Sequence, residues 1–233
     1  RFEKRILDTK WVEEEVKRKK YLSAQGRDAI SNAIFKLGGK PAIRLIRLIN
    51  KAIIVTKHIP ATWKRTKTIM LYKKGDQSLA SNWRPVGITS TWYRIFSSLM
   101  ARAIQEENKT RPIFHRYQRG FVKDGGGPSD HIVVLNELIY HATRKNTDGF
   151  LIPIDLTNAF GSVVHEVIYE ALLMKGFDKE FIEIIKDLYT DAGTQFEANG
   201  SRSEMAQLNR GVIQGCPTSP ILFNCAIDVV LTY

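Results

Sequence analysis

Asp155 closes the apolar run Phe150-Leu151-Ile152-Pro153-Ile154 and opens the compact stretch Leu156-Thr157-Asn158-Ala159-Phe160-Gly161-Ser162. A carboxylate at the C-terminal end of a strand is placed to hold a divalent cation, and the backbone N–H groups after it can face phosphate oxygens. Taken alone, the same aspartate serves equally as a turn residue or helix cap. Gln214-Gly215-Cys216-Pro217-Thr218-Ser219-Pro220 lies 59 residues further on. It is a stiff Gly/Pro loop with an amide donor, able to pass close to a nucleotide or simply to lead into a helix. Together the two segments suggest cation-assisted chemistry on a phosphate.

The elements around them are readable from spacing. Lys10 to Leu22 is expected as a helix ending in the cluster Lys17-Arg18-Lys19-Lys20. Pro41 opens a helix whose apolar residues, Ile43 through Ile54, cover more than one face and predict burial. Thr68–Tyr72 reads as a strand, with Lys73-Lys74-Gly75-Asp76 as its turn. Tyr93, Phe96, Leu99, Met100 and Ala103 recur at helical spacing, with Arg94 and Arg102 at the margins. The segment Asp124-Gly125-Gly126-Gly127-Pro128 marks a boundary. Beyond it a helix capped by Ser129 or Asp130 is expected to turn Ile132, Val133, Leu135, Leu138 and Ile139 inward, and Phe150–Ile154 to form a strand. Helices from about His165 to Met174 and Glu180 to Tyr189 follow, then an Asn199-Gly200 hairpin and a helix opened by Ser219-Pro220.

The chain of 233 residues has 43% hydrophobic and 25% charged side chains, which excludes collagen-like, disordered and disulfide-stapled classes. No apolar run reaches the roughly 20 residues of a bilayer helix. Cys216 and Cys225 lack CxxC spacing, so neither a disulfide framework nor a zinc site is implied. The chain opens on Arg1, so targeting is not legible in it. Its net charge of +11 is uneven: +7 over residues 1–50, +12 over 51–123 and −8 over 124–233. A basic half of this density favours a nucleic acid, because each neutralised phosphate releases counterions. The acidic half would repel that partner unless its carboxylates face away or hold cations.

Five ordered blocks carry a resemblance. Lys73-Lys74-Gly75-Asp76 and Asn82-Trp83-Arg84-Pro85 are followed by the Tyr93–Ile104 helix and by Gln118-Arg119-Gly120-Phe121. Asp155-Leu156 with Ala159-Phe160 comes next, then the unbroken run Arg210-Gly211-Val212-Ile213-Gln214-Gly215-Cys216-Pro217-Thr218-Ser219-Pro220-Ile221-Leu222-Phe223-Asn224. In type and order these blocks resemble the fingers and palm of reverse transcriptases of retrotransposons without long terminal repeats, and more distantly group II intron enzymes.

The resemblance implies an α+β fold: a right-hand polymerase fragment with a helix-rich basic fingers region packed on an incomplete antiparallel palm sheet. It divides the chain into an N-terminal basic extension (1–40), fingers (41–123) and palm (124–233). It implies that Asp155 binds Mg²⁺ as the first catalytic aspartate. Lys74, with Lys73 beside it, and Arg84 would grip the incoming dNTP triphosphate; Phe160 would exclude a 2′-hydroxyl; Gln214 and Gly215 would line the nucleotide pocket. Lys17, Arg18, Lys19 and Lys20 are expected to hold template RNA or an RNA–DNA hybrid. Without the family order these residues read as a solvated turn, a surface ion pair and core.

Two departures from the family pattern stand out. Gly161 occupies the place of a second acid after Ala-Phe, and no Asp-Asp pair occurs in the 233 residues. Asp228 lies in the last helix pattern and is a poor substitute. One carboxylate cannot fix two divalent ions, so the expectation is a full-length parent that performs reverse transcription and a chain that alone binds RNA without polymerising. The alternative is a non-catalytic, polymerase-derived RNA-binding or scaffolding protein. A viral RNA-directed RNA polymerase is disfavoured by Phe160. For a eukaryotic element a nuclear location is expected, and uncovered apolar palm surface would promote self-association.

Overall fold

The computed structural model describes residues 2–123, 127–198 and 200–232. It has the mixed α and β character that the resemblance implies. A short helix, α1 (Phe2–Ile6), precedes α2 (Thr9–Arg18), whose first turn is capped by the Asp8 carboxylate accepting from the Trp11 N–H. The basic run does not extend this helix to Leu22: the chain turns extended at Lys19. After α3 (Asn32–Leu37) comes α4 (Gly39–Thr56), which buries Ile43, Ile46, Ile53 and Ile54. Leu45, Leu48 and Val55 remain exposed, so α4 is a one-sided helix and not the fully buried one its composition predicts.

A mixed four-stranded sheet follows, in the order β2-β1-β3-β4. Strand β1 (Arg65–Tyr72) pairs antiparallel with β2 (Trp83–Ile88), setting Thr68 opposite Gly87 and Tyr72 opposite Trp83. Pro85 sits within β2, which is tolerated because β2 is an edge strand and a missing N–H costs little there. On its other side β1 runs parallel to β3 (Gly193–Ala198), which forms an antiparallel pair with β4 (Ser201–Gln207). Asn199 of the expected hairpin turn lies outside the described residues, as do residues 124–126 of the expected boundary. The sheet is therefore not purely antiparallel, and it joins strands from the basic and acidic halves of the sequence.

Helix α5 (Thr91–Thr110) is the central element. Ser90 caps it, its side chain accepting from the Tyr93 N–H, and Tyr93, Phe96, Leu99, Met100 and Ala103 are buried as their spacing predicts. Helix α6 (Ser129–Lys145) departs from expectation. None of its residues is buried, and Ile132, Val133, Val134, Leu138 and Ile139 are all more than half exposed. The expected strand Phe150–Ile154 does not form either: residues 147–156 belong to no helix or strand, and Phe150 is 96% exposed. An apolar strand needs a neighbour to pair with, and among the described residues none lies alongside.

The chain then forms α7 (Ala159–Ser162), α8 (His165–Met174), α9 (Lys179–Tyr189) and α10 (Ser219–Thr232). Ile168, Leu172, Ile184, Ile185, Leu188, Leu222 and Cys225 merge with the α5 residues into one hydrophobic cluster. Burial in that cluster raises the Cys225 thiol pKa to about 12.

Candidate active site

The hairpin joining β1 to β2 is ordered by its own side chains. The Lys73 N–H donates to the Asn82 carbonyl at 2.9 Å, the Tyr72 hydroxyl donates to the Gly75 carbonyl at 2.6 Å, and the Trp83 indole donates to the Gln77 carbonyl at 2.9 Å. The Ser78 N–H donates to Asp76 and holds that carboxyl below its usual pKa. Tyr72 and Trp83 meet edge to face, their ring centroids 5.5 Å apart. On this framework Lys73, Lys74 and Arg84 are all exposed. Their charges are thus carried on a shaped tip, with no burial cost.

Two loops face the sheet. The Phe160–His165 segment is sewn to Gly211–Val212 by main-chain bonds: Val212 N–H to the Phe160 carbonyl at 2.7 Å, and Gly211 N–H to the Val163 carbonyl at 2.6 Å. Buried His165 adds a bond of 2.9 Å between Nε2 and the Gly211 carbonyl, and its ring packs on Tyr189 at 4.4 Å. Gly211 has φ +84°, and a Cβ there would stand 2.8 Å from the Phe160 carbonyl oxygen, so only glycine allows this approach. The Phe160 ring is half-buried between Phe121, at 6.1 Å, and Phe223, at 4.8 Å. Asp155 is exposed.

The Gln214–Thr218 loop is anchored from beneath by a buried polar cluster on α5. The Tyr93 hydroxyl lies 2.9 Å from Cys216 Sγ, Ser97 Oγ lies 3.0 Å from the same sulfur, and Thr218 bonds Ser97 through both its N–H (3.1 Å) and its hydroxyl (2.8 Å). Burial pushes the Tyr93 hydroxyl well above its ordinary pKa, so it stays neutral. From above, the loop meets β2 backbone to backbone. A Cβ on Gly87 would lie 2.1 Å from the Gln214 carbonyl oxygen. Between the sheet and the loops lies a cavity of about 180 Å³ bordered by Lys64, Thr68, Pro85, Asn158, Gly161 and Gln214.

Of the residues singled out by sequence, Gln214 lines this cavity; Gly215 is exposed, Phe160 packs at a tilt between Phe121 and Phe223, and Lys73, Lys74, Arg84 and Asp155 are not among the residues that border the cavity. Among the described residues no group of three His, Cys, Asp or Glu side chains gathers to hold a metal. Asp228 is buried and pairs with Lys175, and it accepts from the His115 N–H at 2.8 Å, so it is a fastening between α10 and α8. The basic cluster is split. Lys19 turns inward to Glu15, at 2.8 Å, and to Ser98, while Lys17, Arg18 and Lys20 stay exposed. Sequence reasoning missed Gly87, Ser97, Tyr93 and His165. Their types are ordinary for a strand, a helix and a helix start, and only the contact across the chain distinguishes them.

These features describe an α+β domain in which strands of the sheet and two loops border one cavity. The profile of the reverse transcriptase (RNA-dependent DNA polymerase) family matches residues 71–232, and the chain belongs to that family. It is 28% identical over 189 residues to the Pol polyprotein of the type-1 retrotransposable element R2 of Popillia japonica, covering 81% of this chain and 26% of the relative. Identity is 27% to the R2DM polyprotein of Drosophila melanogaster (82% of this chain, 18% of the relative). It is 29% to the 149 kDa protein of transposon TX1 of Xenopus laevis (74% and 13%). The chain therefore spans about a quarter or less of the length of these relatives.

Proposed function

We propose that this chain is the nucleotide- and template-binding portion of a non-LTR retrotransposon reverse transcriptase whose full-length parent copies RNA into DNA. In this reading residues 1–40 are a basic extension, 41–123 the fingers and 124–233 the palm. Lys73, Lys74 and Arg84 hold the dNTP triphosphate, Arg84 in a bidentate manner. Gln214 and Gly215 line the base and sugar side, and Phe160 discriminates against a 2′-hydroxyl. The basic half takes the RNA template or RNA–DNA hybrid, and a nuclear location follows for a eukaryotic element.

The observation that carries this reading is the backbone contact of Gly87 with Gln214 and Gly215, which joins strand β2 of the cation-bearing hairpin to the amide loop, whose Gln214 lines a cavity. A divalent cation, in this reading Mg²⁺, supplies activation of a primer hydroxyl and neutralisation of phosphate charge when bound. Asp155 is the carboxylate this chain offers it, and alone it does not complete such a site. In a parent-length enzyme, Asp155→Asn should abolish extension of a primed RNA template while leaving RNA affinity intact. Retained synthesis would overturn the assignment. The 233-residue chain by itself should bind RNA and give no extension, and detectable extension would contradict that. Gly161 favours a second reading, a non-catalytic RNA-binding scaffold, for which the parent-length enzyme would also be inactive with Asp155 in place.

A further inference from the structure

We propose that a pocket enclosed by α2, α3 and α4, remote in sequence from the cleft above, seats one unstacked nucleotide of a single-stranded RNA. The proposal rests on the reading that the basic half binds RNA, and it names the site and the form of RNA. The pocket has a volume of about 330 Å³, within the range of small-ligand sites. Its floor is apolar: Val16, Phe35 and Ile43 are buried. Its rim carries Lys17, Lys36 and Lys40 against a single acid, Glu13. At the mouth stands Tyr21, 51% exposed. An apolar floor, a half-exposed aromatic ring and a set of ammonium groups match a base with its flanking phosphates. Such stacking platforms beside cationic tracks are how single strands are held without base-pair readout.

Tyr21 is exposed yet held in place. Its carbonyl accepts from the Ser31 hydroxyl at 3.3 Å, and the preceding carbonyl, of Lys20, accepts from the buried Asn32 amide at 2.8 Å. Lys36 Nζ lies 4.7 Å from the centre of the Tyr21 ring and donates to the Lys17 carbonyl at 2.8 Å. The backbone that carries the ring is thus fixed before any ligand arrives, which lowers the ordering cost of binding. Of the four residues of the basic cluster only Lys17 lines the pocket. A duplex, whose bases are already stacked and paired, could not place a base there. An acidic peptide would satisfy the charge but leave the aromatic face without its partner.

The test is fluorescence anisotropy of the 233-residue chain with a labelled, unstructured 20-nucleotide RNA across a KCl series. Tyr21→Ala should weaken binding about tenfold with no change in salt slope, because stacking releases no counterions. Tyr21→Phe should bind like the wild type, and Lys40→Gln should lower the slope by about 0.7. RNA carrying 4-thiouridine should crosslink to the peptide containing Tyr21. Matching melting curves would show that the variants keep the fold. If Tyr21→Ala binds within twofold of wild type while charge reversal of Arg18 and Lys20, which do not line the pocket, abolishes binding, the pocket assignment falls and RNA binding stands. No binding by the wild-type chain overturns both. A 20-residue poly-glutamate that binds as tightly, with the same dependence on Tyr21, assigns the pocket to an acidic protein and also overturns the proposal.

Discussion

Gly87 and Gly215 meet main chain to main chain: a Cβ on Gly215 would stand 2.0 Å from the Gly87 carbonyl oxygen. Neither side can yield by rotating a side chain, because both partners are backbone. Gly215 also has φ +81°, where any L side chain is strained. Gly215→Ala should therefore cost about 2–3 kcal/mol and lower the melting temperature by several degrees. Gly87→Ala, with no unfavourable φ, should act mainly by pushing the loop away and reducing dNTP affinity. Calorimetry and nucleotide titration separate the two outcomes. An unchanged melting temperature in Gly215→Ala would rule out the contact.

Gly161, where the family resemblance implies an acid, faces the Asn158 amide. A Cβ at 161 would lie 2.5 Å from Asn158 Nδ2, and Asn158 is itself in the left-handed region at φ 49°. The obstacle is a side chain, so it can turn aside. Gly161→Asp should cost about 1 kcal/mol, and Asn158→Gly in the same chain should recover most of that. A thermal-melt double-mutant cycle measures the coupling, and strict additivity would show that Asn158 is not the obstacle.

Asp187 fastens α9 to the end of α4. Its carboxylate accepts from the Ile59 N–H at 2.6 Å, faces His58 Nδ1 at 3.1 Å and pairs with buried Lys64 at 2.9 Å. Burial works to raise the Asp187 pKa, but these bonds outweigh it and hold the group below the usual carboxylate range. A depressed folded-state pKa contributes stability that is present above about pH 4 and is lost as pH falls through the folded value. Asp187→Asn should cost about 3 kcal/mol near neutrality, since it strands the Lys64 ammonium, and should flatten the acid limb of the stability profile. Urea melts from pH 7 down to pH 3 would show it. An acid limb as steep as the wild type's would mean that Asp187 is not its source.

The apolar surface of α6 and residues 150–154 has no cover among the described residues, with Ile152 79% and Ile154 84% exposed. Contiguous exposure of this kind drives association. The chain should show a concentration-dependent mass by light scattering, and Ile139→Glu with Ile152→Lys should return it to a monomer. A monomeric wild type at the highest soluble concentration would contradict this.

The elements whose stabilising contacts are local were legible in the residues alone. Helix α5 follows from its 3.6-residue apolar period, α8 and the Gly200 turn from equally short-range signals, and the blocks from Lys73 to Asn224 suffice to name the family. What depends on partners far along the chain was not legible. The parallel pairing of β1 with β3 spans about half the sequence, and α6 and residues 150–154 have an apolar pattern that predicts burial while no neighbour among the described residues provides it. The cleft is decided the same way. Gln214 could be singled out by its loop, but its place depends on Gly87 in a strand, Ser97 and Tyr93 in a helix and Gly211 against Phe160. A one-dimensional pattern records which face of an element is apolar. Only the folded chain decides what lies against that face, because side-chain contact and backbone approach are properties of pairs.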